Sequence, residues 1–389
     1  MPGIAEIVQR VPYSRVREIA EMAFKMDGVL KLYFGESTEP TPAFIKQAAV
    51  KALDDGFTFY TANAGLFSLR QAIADHYLRI HQVALDPARE IVVTASGVQA
   101  LNTTVRCVLD PGDEVLVLSP SWPNAGTMAA MSDAKVIEVA QPLVGDHFEI
   151  DWDALEAAVT PRTKLLVYTS PSNPTGWVAT DEDQNRLLEF IRRHDLWLLA
   201  DEVYDRLWFQ GPLGEAAPSI LKKATRDDAV MVVQSFSKAY CMTGWRLGYA
   251  IARADAAKKL GQLNEYTVSN AAGFTQKACE TALAQGEPFV HEFLAKLRAN
   301  RDFCVDAMRS MPRLTVPRPD GAFYLFPRVE GLEDSFEFCK RLLEEKRVGI
   351  APGMAFGKGG EGSLRVCYAS DRSVLEPAME RLSDFLGAY

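Results

Sequence analysis

Between residues 90 and 252, seven short apolar or β-branched runs alternate with segments of helical periodicity: EIVVTAS, EVLVLS, KVIEVA, KLLVYTS, LWLLADE, VMVVQSFS and RLGYAIA. A parallel neighbour can be reached only by a long crossover, so strands spaced by helix-length segments pair mostly in parallel. The rhythm therefore predicts an α/β fold with a mostly parallel central sheet flanked by helices. KLLVYTS and LWLLADE are nearly continuous in apolar residues, as strands covered on both faces must be, and are expected at the centre. After Arg253 the pattern turns helical, with breaks at Asn270 and at the GEP of residues 286 to 288, before Pro312, Pro317 and Pro319 punctuate a β-rich stretch. The first forty or so residues, a helix near Val16 to Phe24 and the strand-like VLKLYFG, are cut off from the sheet by TEPTP. These shifts predict a large domain over 41–288 and a smaller α+β domain built from both chain ends, 1–40 and 289–389.

With 389 residues, 48% of them hydrophobic, the chain can bury a large core, which excludes disorder and fibrous classes. A formal net charge of -9 argues against nucleic acid or an anionic membrane as partner, so any anion site has to be assembled locally. The six cysteines lie far apart with no C-x-x-C spacing, and read as buried thiols in a reducing compartment. The N-terminus lacks a basic region followed by an apolar block, and no run approaches 18 apolar residues. A cytoplasmic, soluble protein is the expectation.

Five segments carry candidate chemistry. SFSKAYCMTGWRLGYA places Lys238 just beyond a hydrophobic strand, walled by Phe236, Tyr240 and Trp245. Partial desolvation lowers an amine's pKa and frees it as a nucleophile suited to Schiff-base chemistry. Ser235 and Arg246 flank it, a hydroxyl and a guanidinium that a loop can bring onto one phosphate. Taken alone, Lys238 reads first as a solvated loop lysine. LWLLADEVYDRLW ends an apolar strand in Asp201 and sets Tyr204 three residues on. A carboxylate there is costly unless a cation such as a protonated pyridine faces it, although a helix cap with a core tyrosine is an equal alternative. VYTSPSNPTGWV puts Asn173 in a turn at the carboxyl edge, where open α/β sheets bind ligands. VTASGVQAL runs from strand into helix, so the N–H groups of Gly97, Val98 and Gln99 face an anion or merely start a capped helix. Trp122, in LSPSWPNAG, can stack on a flat ring or fill core.

In this order and spacing the five segments resemble the class I and II pyridoxal-phosphate-dependent aminotransferases of fold type I, over nearly the whole chain. SPSNPTG, ADEVY after a strand, and S-x-S-K followed by GWRLGY are the most specific parts. The resemblance implies pyridoxal 5'-phosphate as cofactor, with amino acid and 2-oxo acid substrates. By it, Lys238 carries the cofactor covalently and moves a proton at the substrate α-carbon, while Asp201 pairs with the pyridine N–H. Tyr204 and Asn173 hold the phenolic oxygen, and Trp122 stacks on the ring. Ser235, Arg246 and the N–H groups of Gly97, Val98 and Gln99 form the phosphate cradle. Arg365, in GSLRVCYAS, clamps the substrate carboxylate, and the Gly35 backbone approaches the substrate. Tyr60 reaches the phosphate of the neighbouring subunit, which makes a homodimer with shared sites obligatory. No metal is called for.

Dicarboxylate-specific branches of the family carry an extra basic residue, and here Glu265 and Val98 stand at the two positions where it would fall. Phe34, Trp122, Phe323 and Tyr324 are expected to line an apolar side-chain pocket. Such pockets discriminate by only about 1–3 kcal/mol per methylene, so broad or neutral and aromatic specificity is expected.

Other reactions of the scaffold, C–S β-lysis, racemisation or oxidation, would need the same lysine and aspartate. SFSK also satisfies the S-x-x-K of serine acyl-transfer enzymes, but the accompanying S-D-N and K-T-G do not occur in the chain. A cofactor-sensing regulator of this shape would need a DNA-binding domain ahead of the large unit, where only about forty residues stand.

Overall fold

The computed structural model describes residues 2–212 and 214–389. All seven runs are strands of one sheet: β1 (Ile91–Thr94), β2 (Glu114–Ser119), β3 (Lys135–Ala140), β4 (Thr163–Thr169), β5 (Trp197–Asp201), β6 (Val230–Ser235) and β7 (Gly248–Ala252). Their spatial order is β1-β7-β6-β5-β4-β2-β3. Only β7 runs antiparallel to its neighbours. LWLLADE supplies the middle strand and KLLVYTS lies beside it.

Period-two alternation divides the side chains between two cores. Leu166, Leu198 and Val232 join one face; Val167, Leu199 and Val233 join the other. The helix Gly97–Val108 packs on the second face, so close that a Cβ on Gly248 would lie 2.4 Å from the Gly97 nitrogen. Parallel register brings Thr169 opposite Asp201 and Asp201 opposite Val233. Gly248 pairs with both Ser235 and Thr94. The carboxyl ends of β1, β4, β5 and β6 thus share one edge.

The chain ends meet in a third core that includes Ile19, Leu32, Phe338, Leu342 and Leu382. Leu30–Lys31 pairs in parallel with Val348–Gly349, and Leu364–Cys367 pairs with both Tyr324–Leu325 and Ala351–Pro352. Tyr204 and Leu207, from the turn after β5, also pack in this core. A boundary between residues 288 and 289 would fall in the first turn of the helix Glu287–Arg309. Four of the six cysteines are buried and unpaired; Cys107 and Cys241 are half-buried, a correction to the reading of all six as buried. Among the described residues no helix is long and apolar enough to cross a membrane.

Candidate active site

Lys238 lies in the turn that follows β6 and is half-buried, its ammonium held by a 2.6 Å hydrogen bond to the Gly35 carbonyl. The nitrogen sits 5.4 Å from the ring centre of Tyr204 and 5.8 Å from that of Phe323. Surrounding protein pushes its pKa down to about 8, helped by the Arg365 guanidinium and opposed by Asp201. A neutral amine is therefore accessible near physiological pH.

Asp201, at the end of β5, is 4% exposed. Burial raises its carboxyl to about 6, only partly offset by the Val203 N–H at 3.4 Å and by Lys238. Among the described residues no Lys, Arg or His forms an ion pair with it. It lines a narrow cleft with Ser121, Trp122, Tyr168 and Thr169. Tyr204 is buried, and its hydroxyl lies 2.7 Å from that of Tyr324. The buried Asn173 accepts a 3.0 Å hydrogen bond from Arg365 through Oδ1.

The residues expected to cradle an anion lie around one helix start, with Gln99 differing from the expectation. Ser96 caps the helix by accepting from the Gln99 N–H at 3.1 Å, so that donor is engaged. The Gly97 and Val98 N–H groups stand in the first turn, where no intrahelical acceptor exists. A Cβ on Gly97 would lie 3.2 Å from the Ser235 Cβ, which puts Ser235 beside that helix start. The Ser235 hydroxyl donates to the Leu247 carbonyl at 3.4 Å, next to the exposed Arg246. Arg246 adopts a left-handed backbone with φ 53° and donates to the Thr243 carbonyl at 2.6 Å.

Arg365 is 3% exposed, with its guanidinium 4.6 Å and 4.8 Å from the ring centres of Tyr324 and Phe356. It donates to Asn173 and to the Tyr33 carbonyl, and its buried Nε has no partner among the described residues. A buried cation held only by neutral acceptors could hold an anion.

Two of the expected pocket residues have further contacts. Phe34 packs against Phe24, Tyr33 and the Arg17 guanidinium, on the side of the helix Arg15–Ala23. Tyr324 is fully buried, and its hydroxyl adds a polar link to Tyr204. Tyr60 is 90% exposed. Glu265 accepts a 2.6 Å hydrogen bond from Asn63 and is not among the groups around Lys238. Sequence reasoning missed the TEPTP segment as a brace. Thr41 donates to the Cys241 carbonyl at 2.6 Å and accepts from the Trp245 indole at 2.9 Å, pinning the loop after Lys238. A polar residue beside a proline reads simply as loop, and no local signal marks that contact.

The family model for aminotransferase class I and II matches residues 27–382. The chain belongs to that family. The aspartate aminotransferase of Pyrococcus horikoshii is 33% identical, covering 98% of this chain and 97% of its own. Aromatic-amino-acid aminotransferase 2 of Thermococcus litoralis is 32% identical, over 99% and 98% of the two chains. The structure of the Thermus thermophilus aspartate aminotransferase with maleate superposes with a TM-score of 0.91 at 32% identity, covering 99% of this chain and 100% of that one. The protein is an aminotransferase with the mostly parallel, helix-flanked sheet of its family.

Proposed function

We propose that this aminotransferase moves the amino group of a neutral or aromatic amino acid to a 2-oxo acid, using pyridoxal 5'-phosphate in the cleft beside Asp201. The observation that carries the cofactor assignment is the buried Asp201 carboxylate without a cation partner among the described residues. A protonated pyridine would supply the missing charge, and the neighbouring Lys238 amine would attach to the cofactor aldehyde. Gly97, Val98, Ser235 and Arg246 would hold the phosphate, Trp122 would stack on the ring, and Tyr204 with Asn173 would hold the phenolic oxygen. When bound, this cofactor supplies a cationic ring that accepts electrons from the substrate α-carbon.

The chain's own residues do the rest. Arg365 binds the substrate carboxylate, and Asn173 and the Tyr33 carbonyl orient its guanidinium. Lys238, its amine pKa lowered to about 8 by burial, takes a proton at the α-carbon and returns it.

Relatives that act on aspartate and on aromatic amino acids stand at nearly equal identity, 33% and 32%, so identity does not choose between substrates. What supports a neutral or aromatic side chain is composition: Val98 and Glu265 occupy the positions where a second cation is expected. Single-turnover mixing of the cofactor-loaded enzyme with each amino acid should convert phenylalanine or a neutral aliphatic amino acid faster than aspartate. Faster conversion of aspartate would overturn this specificity.

We also infer a homodimer that completes each site with the partner's tyrosine at position 60. The 90% exposure of Tyr60, beside Phe59 at 81%, supports it, since adjacent aromatic side chains seldom stand free in water. Sedimentation should give a species of twice the chain mass, and Tyr60→Phe should weaken cofactor affinity. A fully active monomer would contradict the inference.

A further inference from the structure

Tyr324 is a buried polar residue beside Tyr204, and the functional reading gives its hydroxyl no role. It opens the short strand Tyr324–Leu325 and pairs in register with Cys367, next to the Arg365 strand. The side chain is 0% exposed, and its hydroxyl has one side-chain partner, the Tyr204 hydroxyl at 2.7 Å. Phenylalanine would fill the same volume without burying a hydroxyl, and a buried polar atom needs its hydrogen bond.

Space is reserved for that hydroxyl. A Cβ on Gly35 would come within 2.2 Å of the Tyr324 oxygen, and Gly35 has no positive φ to require glycine otherwise. The Gly35 carbonyl meanwhile accepts from Lys238 at 2.6 Å. Gly35, Tyr324, Tyr204 and Lys238 therefore form one contiguous set.

A phenol has a single hydrogen to donate. Once Tyr204 gives its hydrogen to the cofactor's phenolic oxygen, its own oxygen can only accept, and Tyr324 is the donor in reach. We propose that Tyr324 is a positioning residue: its hydroxyl donates to Tyr204, fixing and strengthening Tyr204 as the donor to the cofactor. The inference rests on the functional reading above. Hydrogen bonds in series polarise one another, so losing the first weakens the second. A weaker donor leaves more negative charge on the phenolic oxygen, which holds the proton of the lysine–cofactor linkage to higher pH.

The test is a pH titration of the visible absorption of the pyridoxal-phosphate-loaded enzyme. Tyr324→Phe should raise the midpoint by roughly half to one pH unit, the scale of one hydrogen bond. Tyr204→Phe should raise it further, and adding Tyr324→Phe to that variant should change nothing more. A fluorinated tyrosine at position 324 keeps the shape and donates more strongly, so the midpoint should fall; this arm holds if Tyr324→Phe does not fold. A wild-type band whose midpoint is unmoved by either replacement overturns the inference alone, as does a shift that persists without the Tyr204 hydroxyl. A wild-type protein that gives no visible band overturns the functional reading, and this inference with it.

Discussion

Lys238→Ala is expected to lower turnover by about 10⁴-fold, the upper range for removing a positioned acid–base group that is also the nucleophile. Its one direct side-chain hydrogen bond is to the Gly35 carbonyl, so little of the fold depends on it. Surrounding protein also makes the amine costly to keep charged, lowering its pKa to about 8. Removing it should therefore leave the melting temperature nearly unchanged, and a small primary amine in solution should restore part of the rate. Steady-state assays of the purified variant check this. Retention of more than about a tenth of the activity would rule out Lys238 as the proton carrier.

Asp201→Ala should cost roughly 10²- to 10³-fold in turnover, the consequence of removing one partner of a buried ion pair. Cofactor affinity should fall far less, because the phosphate cradle and Lys238 are untouched; equal losses would make Asp201 merely structural. The cofactor-free protein offers a second test with a definite sign. Folding raises the Asp201 pKa from 3.8 to about 6, so the folded state binds more protons than the unfolded state between those values. Its contribution to stability is consequently lost as pH rises through that window. Without cofactor, Asp201→Asn should therefore melt higher than wild type above about pH 6, with the advantage fading toward pH 4. Glu202, raised to about 7 by burial, titrates in the same direction but is common to both proteins. Saturating pyridoxal phosphate should reverse the order, since the carboxylate then gains its cation. A wild type already the more stable without cofactor would contradict the picture of an unpaired buried charge.

Much of this was legible because strong local signals coincided with the site. Short apolar or β-branched runs mark every strand of the large sheet, and the polar residues Asp201 and Ser235 end two of them at the shared carboxyl edge. The two-residue strands around Tyr324 and Ala351 are too short to show alternation and become visible only through their partners. Tyr324 itself, between Phe323 and Leu325, reads as the wall of an apolar pocket because nothing in its neighbours reveals where the hydroxyl points. The capping of the Gln99 N–H was available in principle, since a serine before a helix start takes the N–H three residues on. Glu265 meets Asn63, distant in sequence, and that relation is not written in the adjoining residues.

The most direct measurement is where the cofactor attaches. Pyridoxal phosphate loaded onto the protein, reduced with borohydride and followed by digestion and mass spectrometry, should leave the added mass on the peptide containing Lys238. Modification there, abolished in Lys238→Ala, is the predicted result. A label on another lysine, or none on a protein that still transfers amino groups, would contradict the site built around Lys238 and Asp201.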